Sequence, residues 1–345
     1  MKKYISIIII IAFLASCGKA KNYSTIDKDL QQKAEKVLRA EAASSHVDSA
    51  IMLVMEVKTG EIKVMVKITK TESATYSSTY TEASMNLPRE PGSIFQPFSV
   101  MAAMENSQIS LEDSVETENG IYAVDSGIFK DNNSNKGGYG KITVRQSLLF
   151  PSNIGVLKTV LNSFDNLNKF EAQLDKMSVL HSNDIVTSDS VKAHTISQMG
   201  MMSIGYNFKM TPLQLLSSYN AIANNGRMMK AIFKTGQDSI INPHICSDKT
   251  IQAIQQTLCE KADMMLKDNN QVNTYKIAGI RGTSQYNLPP KIFDFKYCCS
   301  YFPSNKPEYT CLVIFYLERN YVEELNIRNS ILTVVNQIAG SLKSN

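Results

Sequence analysis

Stretches typical of β-strands lie near both ends of this 345-residue chain, and helical patterns fill the middle. Near the amino terminus, residues 50–57 and 62–68 are rich in Val, Ile and Met, and the turn between them contains Gly60, as a hairpin favours. Residues 293–301 and 309–317 have the same character near the carboxyl terminus. Terminal strands that pair across a helical insertion form one α+β domain with a helical subdomain, and the pattern predicts that fold class.

The helices are predicted from apolar residues that recur at helical spacing. An amphipathic helix begins within residues 24–32, and another helix follows Ser93. Helices dominate residues 143–225, and the clearest begins at Thr211 with a capping box and a proline at its first position. Residues 112–140 are rich in Asn, Asp, Ser and Gly and are predicted to be loops. A carboxyl-terminal amphipathic helix is marked by Ile327, Ile331, Val334, Val335, Ile338 and Leu342.

The composition is that of a globular protein with ample material for a core, since 43% of the residues are hydrophobic and 20% are charged. The net charge is +4 and the basic residues are scattered, so no nucleic-acid partner is expected. No CxxC or Cys/His spacing predicts a metal site. We expect Cys298, Cys299 and Cys311 to be buried thiols, whereas a disulfide between Cys246 and Cys259 is left open.

The amino terminus has the pattern of an export signal. Two lysines precede an apolar run at residues 5–15, which is too short to span a bilayer but has the length of a signal-peptide core. The run ends in Leu-Ala-Ser-Cys, with the cysteine at position 17, and resembles the lipobox of bacterial lipoproteins. The resemblance implies cleavage before Cys17 and lipidation of its thiol; an ordinary signal peptide with an incidental cysteine is the alternative.

This interpretation divides the chain into three parts. Residues 1–17 are a lipoprotein signal peptide, residues 18–23 are a short tether, and residues 24–345 are one domain whose helical subdomain covers roughly residues 110–230. Six tether residues reach about 20 Å. We therefore expect the domain to sit close to its membrane.

The segment EPGSIFQPF at residues 90–98 has the pattern of a helix start that carries a nucleophilic serine, Ser93. A serine nucleophile needs a base to take its proton. Residues three apart are neighbours on a helix, so the base is expected at position 96. That residue is Gln96, and an amide has no useful basicity.

Seven segments in the same order resemble the transpeptidase domain of the penicillin-binding proteins, most closely the class B type. The resemblance implies a penicillin-binding-protein/β-lactamase-like fold, with a central antiparallel sheet packed between helices plus a helical subdomain. It implies neither a cofactor nor a metal. The segments are STIDKDLQQKAEKVL, LVMEVKTGEIKVMV, EPGSIFQPF, FPSNIGVLK, SIGYNFKMTPLQLLSSYNAIANNGRMMK, IAGIRGTSQ and YCCSYFPSNKPEYTCLVI.

The resemblance assigns roles to single positions, and several of them are altered. The nucleophile position is Ser93, and the asparagine that holds the substrate amide is Asn153. The lysine that serves as general base is replaced by Gln96, the relay serine by Pro151, and the lysine of the KTG strand by Ile280. Simpler roles are open for the two retained residues, because serine and asparagine also cap helices.

The KTG strand keeps part of its character. Gly282 and Thr283 are retained, and Arg281 replaces the first threonine. A guanidinium can bind a carboxylate in a bidentate manner. Arg281, Gly282 and Thr283 are therefore predicted to bind substrate, with a solvated strand arginine as the alternative.

Together these features predict a lipid-anchored protein of the cell envelope that faces the periplasm or extracytoplasmic space. Its domain is expected to be a catalytically impaired pseudoenzyme that binds a peptidoglycan stem peptide, a β-lactam or an envelope protein partner. The alternative is an active peptidoglycan DD-transpeptidase or acyl-transferase with a rearranged base. A domain that β-lactams acylate once at Ser93 is a third interpretation.

Overall fold

A six-stranded antiparallel sheet forms the centre of the protein. The structure is a computed structural model that describes residues 24–125, 127–181, 195–236, 240–319 and 324–343. In chain order the elements are α1 (Lys28–Ser44), β1 (Ser49–Glu56), β2 (Ile62–Lys70), β3 (Tyr76–Thr79), α2 (Gln96–Asn106), β4 (Ser114–Glu116), β5 (Ile121–Val124), β6 (Gly127–Lys130), β7 (Lys141–Thr143), α3 (Val144–Leu149), α4 (Asn153–Ser163), α5 (Leu167–Lys176), α6 (Ile196–Ser203), α7 (Pro212–Ala223), β8 (Met228–Met229), β9 (Ile240–Asn242), α8 (Asp248–Asp268), β10 (Ala278–Leu288), β11 (Lys291–Phe302), β12 (Tyr309–Glu318) and α9 (Glu324–Lys343).

The central sheet joins strands from the two ends of the chain. Its order is β10-β11-β12-β1-β2-β3, and all neighbouring pairs are antiparallel. The pairing of β1 with β12 brings together residues 49–56 and 309–316. The α+β organisation predicted from the strand positions is confirmed.

Side chains on the two faces of the sheet belong to two different cores. Met52 and its partner Val313 pack with α1 and α9, whereas Leu53 and its partner Leu312 pack with α2 and α7. Successive strand residues point to opposite faces. Because β1 and β12 are apolar at nearly every position, the sheet can bury both of its faces.

Local signals place several elements correctly. The β1–β2 hairpin turns at Gly60, which has φ of +78°, and α7 has the predicted capping box between Thr211 and Gln214. The first helix begins at Lys28, slightly later than its sequence pattern suggests, because Asp27 caps it. The prediction of loops for residues 112–140 is only partly correct, since this stretch contains the short strands β4, β5 and β6.

All five cysteines of the described residues are free thiols. Cys298, Cys299 and Cys311 are buried, as predicted, and the disulfide left open between Cys246 and Cys259 is not formed. Within the described ranges, no helix has both the length and the apolar character needed to cross a bilayer. The predicted signal peptide and tether, residues 1–23, lie outside the described residues.

Candidate active site

Ser93 lies in a tight 3-10 turn (Gly92–Phe95) that leads directly into α2. Gly92 begins this turn with φ of +61°, a conformation that residues with a Cβ adopt at a cost. A side chain there would also overlap the carbonyl oxygen of Thr283. The N–H of Gly92 donates to the carbonyl oxygen of Gly205 at 2.9 Å. Glycine is thus required both by the turn and by its close neighbours.

Two further glycines allow the turn to contact β10 and the loop before α7. A Cβ at Gly282 would lie 2.7 Å from the backbone nitrogen of Ile94, and one at Gly205 would overlap the carbonyl oxygen of Gly92. From α7, the hydroxyl of Tyr219 donates to the carbonyl oxygen of Ile94 at 2.6 Å. These contacts hold Ser93 between the edge strand and the helical part of the protein.

The Ser93 hydroxyl has no hydrogen-bond partner among the described residues. The N-cap of the turn is Pro91, and the N-cap of α2 is Phe95; neither makes a side-chain cap bond. The interpretation of Ser93 as a helix cap is therefore wrong. Its half-buried hydroxyl is available to a ligand.

Gln96 occupies the first position of α2 and is only 1% exposed. Its Nε2 donates to Oδ1 of Asn153 at 2.9 Å. An amide can donate this hydrogen bond, but it cannot take up a proton as an amine does. The structure thus joins two predicted site positions through a contact that carries no acid–base chemistry.

Asn153 begins α4, and its other amide atom contacts the end of β6. Its Nδ2 donates to the carbonyl oxygen of Lys130 at 3.0 Å. The cap of α4 is Ser152, whose Oγ accepts from the N–H of Gly155 at 2.9 Å. The interpretation of Asn153 as the helix cap is therefore wrong, and its side chain bridges Gln96 and β6.

Asp131, which the sequence analysis did not single out, supports this loop. Its carboxylate accepts from Oγ of Ser152 at 2.8 Å and from the N–H of Ile154 at 3.0 Å. Asp131 is 2% exposed, and burial raises its pKa, while the hydrogen bonds from Ile154 and Ser152 act in the opposite direction. A single Asp at the end of a strand-like segment is too common a pattern to reveal this contact from sequence.

The sequence profile of the penicillin binding protein transpeptidase domain matches residues 50–336. The chain belongs to this family. Over 235 residues it is 27% identical to the peptidoglycan D,D-transpeptidase FtsI homolog of Chlorokybus atmophyticus, an alignment that covers 61% of this chain and 34% of that protein. The chain thus matches about a third of the length of this curated relative.

Two solved structures have the same fold as this member of the penicillin-binding family. The apo transpeptidase domain of Burkholderia pseudomallei penicillin-binding protein 3 superposes with a TM-score of 0.73 at 21% identity, covering 92% of this chain and 96% of that one. A peptidoglycan glycosyltransferase from Burkholderia ambifaria gives 0.72 at 22% identity, covering 92% and 97%. The predicted family and fold are confirmed.

Two altered positions of the family pattern lie on either side of this site. Pro151 is exposed at the end of the loop before α4 and offers no hydroxyl. Ile280 is 3% exposed and belongs to the core that includes α2. Neither side chain can handle a proton or bind an anion.

Arg281 and Thr283 share one face of β10, and that face is opposite to the face of Ile280 and Gly282. Arg281 pairs with Cys298, which packs in the core of α1 and α9, and Thr283 pairs with Lys296. Burial raises the pKa of the Cys298 thiol to about 12, while the charge of Arg281 acts to lower it. The structure therefore brings Ser93, Gln96, Asn153 and Gly282 together and directs Arg281 and Thr283 to the other face of their strand.

No group of three or more His, Cys, Asp or Glu side chains that could hold a metal ion occurs in the described part of the chain. Ser93 contributes a hydroxyl to the site, and Gln96 and Asn153 contribute two amides.

Proposed function

We propose that this domain is a catalytically impaired transpeptidase domain that binds a peptidoglycan stem peptide without cross-linking it. The observation that carries the proposal is Gln96, buried at the position of the general base with its amide donating to Asn153. The peptidoglycan D,D-transpeptidase named as a relative supports the choice of ligand class.

The expected loss of reaction rate follows from the role of a general base. Its loss costs about 10²–10⁴-fold in rate, which corresponds to roughly 3–5 kcal/mol of activation free energy. Pro151 and Ile280 remove two further groups. Because cooperating catalytic groups are not additive, these losses do not simply sum, but the first alone is enough to prevent normal turnover.

Glu90 is the ionisable residue nearest to Ser93 in sequence, and burial raises its pKa. Its carboxylate accepts from the backbone N–H of Asn207 at 3.0 Å. This contact holds Glu90 against the loop that precedes α7, which argues against Glu90 as a replacement base.

Acylation by a fluorescent penicillin, followed by intact mass, tests the proposal. We expect no stoichiometric adduct on the wild-type protein over the time in which an active transpeptidase is fully labelled. Gln96→Lys alone should remain slow, and the triple change Gln96→Lys, Pro151→Ser, Ile280→Lys should react faster, because the relay hydroxyl and the strand cation are then restored.

Rapid labelling of the wild type, abolished by Ser93→Ala, would overturn the proposal in favour of an active enzyme. Slow labelling that stops at one adduct on Ser93 would favour the interpretation of a β-lactam-acylated binder. Equal rates for Gln96→Lys and the triple variant would refute the roles given to Pro151 and Ile280.

Binding through the carboxylate of the stem peptide is the finer part of the proposal. A charge-assisted hydrogen bond contributes about 1.5–3 kcal/mol. Arg281 and Thr283 lie on the face of β10 opposite to Gly282, so the proposal requires the ligand to lie along the free edge of this edge strand, where the two side chains would support a Kd on the order of 10–1000 μM. Titration of a D-Ala-D-Ala peptide and of its carboxyl-terminal amide should show weaker binding of the amide. Arg281→Ala should remove that difference, and Arg227→Ala, at an exposed arginine elsewhere, should preserve it.

Equal binding of acid and amide to the wild type would exclude Arg281 from the site and leave an envelope protein as the ligand to seek.

Lipid anchoring through Cys17 is the remaining part of the proposed function. We expect Cys17→Ala to release the protein from the membrane fraction into the soluble fraction. Wild-type levels of Cys17→Ala in washed membranes would contradict the anchor.

A further inference from the structure

Tyr206 lies in the loop before α7, between two residues that bind the segment leading into the 3-10 turn of the site. The carbonyl oxygen of Gly205 accepts from the N–H of Gly92 at 2.9 Å. On the other side of Tyr206, the N–H of Asn207 donates to the carboxylate of Glu90 at 3.0 Å. The backbone of Tyr206 is therefore held directly beside the start of the turn.

The ring of Tyr206 packs on the other side of the site. It lies against a small apolar cluster that includes Phe129 of β6 and Ile154 of α4. Ile154 directly follows Asn153 in the chain. Tyr206 thus connects the turn that carries Ser93 with the loop that carries Asn153.

The hydroxyl of Tyr206 makes no hydrogen bond within the part of the chain that the structure describes. Two other tyrosines near the site are fully paired: the hydroxyls of Tyr219 and Tyr297 donate to the carbonyl oxygens of Ile94 and Glu90. A buried tyrosine hydroxyl usually has a partner. Tyr206 is half-buried, and its hydroxyl is a donor that a ligand can use.

This hydroxyl stays protonated at neutral pH. Burial raises the pKa of Tyr206, and the charge of Glu90 acts in the same direction. The charges of Asp294, on β11, and of Arg319 also act on it, which places the hydroxyl on the side of the loop that faces the sheet. A protonated phenol can donate a hydrogen bond to a carbonyl oxygen, and the amide groups of a peptide supply such oxygens.

We propose that Tyr206 is a ligand-binding residue of this site, whose hydroxyl donates to a backbone carbonyl oxygen of the stem peptide. This inference rests on the proposed function, because it takes the stem peptide as the ligand. An amide carbonyl fits better than the terminal carboxylate, because a carboxylate at this point would approach the carboxylate of Glu90 and be repelled. Tyr206 therefore contacts the chain of the peptide, and Arg281 its terminal carboxylate.

Tyr206→Phe tests the contact, because it removes the hydroxyl and keeps the ring. The matched control is Tyr122→Phe: Tyr122 is half-buried and packs against the same cluster, but the amine of Lys158, further along α4, lies 4.4 Å from its ring centre. The D-Ala-D-Ala peptide and its carboxyl-terminal amide are titrated against each full-length protein. We expect Tyr206→Phe to weaken the Kd of both ligands by the same factor, about 2- to 10-fold.

Tyr122→Phe should bind both ligands as the wild type does, and all three proteins should have the same melting temperature. Unchanged binding by Tyr206→Phe would overturn the assignment, and so would an equal loss for Tyr122→Phe. A loss confined to the acid would place the hydroxyl on the terminal carboxylate and refute the carbonyl contact. Weaker binding together with a lower melting temperature would assign Tyr206 a structural role instead.

The two titrations separate failure of this contact from failure of the proposed function. If the wild type binds the peptides and Tyr206→Phe binds them equally well, only the assignment of Tyr206 is refuted. If the wild type binds neither peptide, the stem-peptide part of the proposed function is refuted, and the contact falls with it. Acylation of Ser93 decides the catalytic part in either case.

Discussion

The turn that carries Ser93 and the loop that carries Asn153 face each other across the site, and they are built by different forces. The Ser93 turn is held by close backbone approaches that only glycine permits, at Gly92, Gly205 and Gly282. The Asn153 loop is held by polar contacts to the buried carboxylate of Asp131. One side of the site is therefore specified by steric fit and the other by hydrogen bonds.

This difference explains how the fold can persist while residues of the site differ from the family pattern. Gly92 and Gly282 match the family pattern, because a side chain at either position would overlap backbone atoms. Gln96, Pro151 and Ile280 differ from it, and each fits its present surroundings: Gln96 is hydrogen-bonded, Pro151 is exposed and Ile280 is in the core. The groups that handle protons can thus change without disturbing the packing that positions them.

The largest effect is expected for Gly92→Ala. It combines a left-handed backbone conformation with overlap of the Thr283 carbonyl, and we expect a loss of about 2–4 kcal/mol in the free energy of unfolding. Gly140→Ala is the matched control, since Gly140 has φ of +63° and no atom within 4 Å of the added Cβ; it should lose only about 1–2 kcal/mol. Equal losses in urea denaturation would show that close packing does not specify the Ser93 side.

A smaller effect is expected on the other side of the site, for Asp131→Ala. The change leaves the Ser152 hydroxyl and the Ile154 N–H without their buried partner, which costs about 2 kcal/mol. Asp165→Ala, at an exposed carboxylate with a single lysine partner, should change the unfolding free energy by less than about 0.5 kcal/mol. A loss for Asp131→Ala no larger than that for Asp165→Ala would remove the carboxylate from its supporting role.

The pH dependence of stability provides an independent check on Asp131. Burial raises its pKa, so the folded protein binds this proton more tightly than the unfolded chain does. The contribution of the group to stability is then greatest at low pH and is lost as pH rises through the raised pKa. The unfolding free energy of the wild type, relative to that of Asp131→Asn, should therefore decrease from about pH 4 toward neutrality; an increase over that range would contradict the direction of the shift.

The contact between the two sides is tested by Gln96→Ala. Loss of the hydrogen bond to Asn153 should lower the free energy of unfolding by about 1 kcal/mol. The control is Gln256→Ala, at an exposed glutamine of α8, which should lower it by less. Because the bond joins α2 to the Asn153 loop, hydrogen exchange of the amides at the start of α4 should become faster. Unchanged exchange there would indicate that Asp131 holds the loop without help from Gln96.

The smallest effect is expected for Ser93→Ala, which should stay within about 0.5 kcal/mol of wild type. Its hydroxyl caps no helix, whereas Ser152 does cap α4. Ser152→Ala should therefore cost about 1 kcal/mol or more. A similar loss for both serines in thermal or chemical denaturation would mean that the Ser93 hydroxyl makes a structural contact after all.

Local signals in the sequence were sufficient for several elements, although they missed the short strands β4, β5 and β6. The hairpin at Gly60, the capping box of Thr211 and the apolar face of α1 depend on residues within a few positions of one another, and all three are present. The motif positions predicted the family and placed Ser93, Gln96 and Asn153 near one another. Whether each serine caps a helix, which carboxylate supports the Asn153 loop, and which face of β10 carries Arg281 were decided only by the tertiary structure. The reason is physical: these properties depend on which distant strand, loop or helix lies within hydrogen-bond distance, and that is set by the packing of the whole sheet against its two cores.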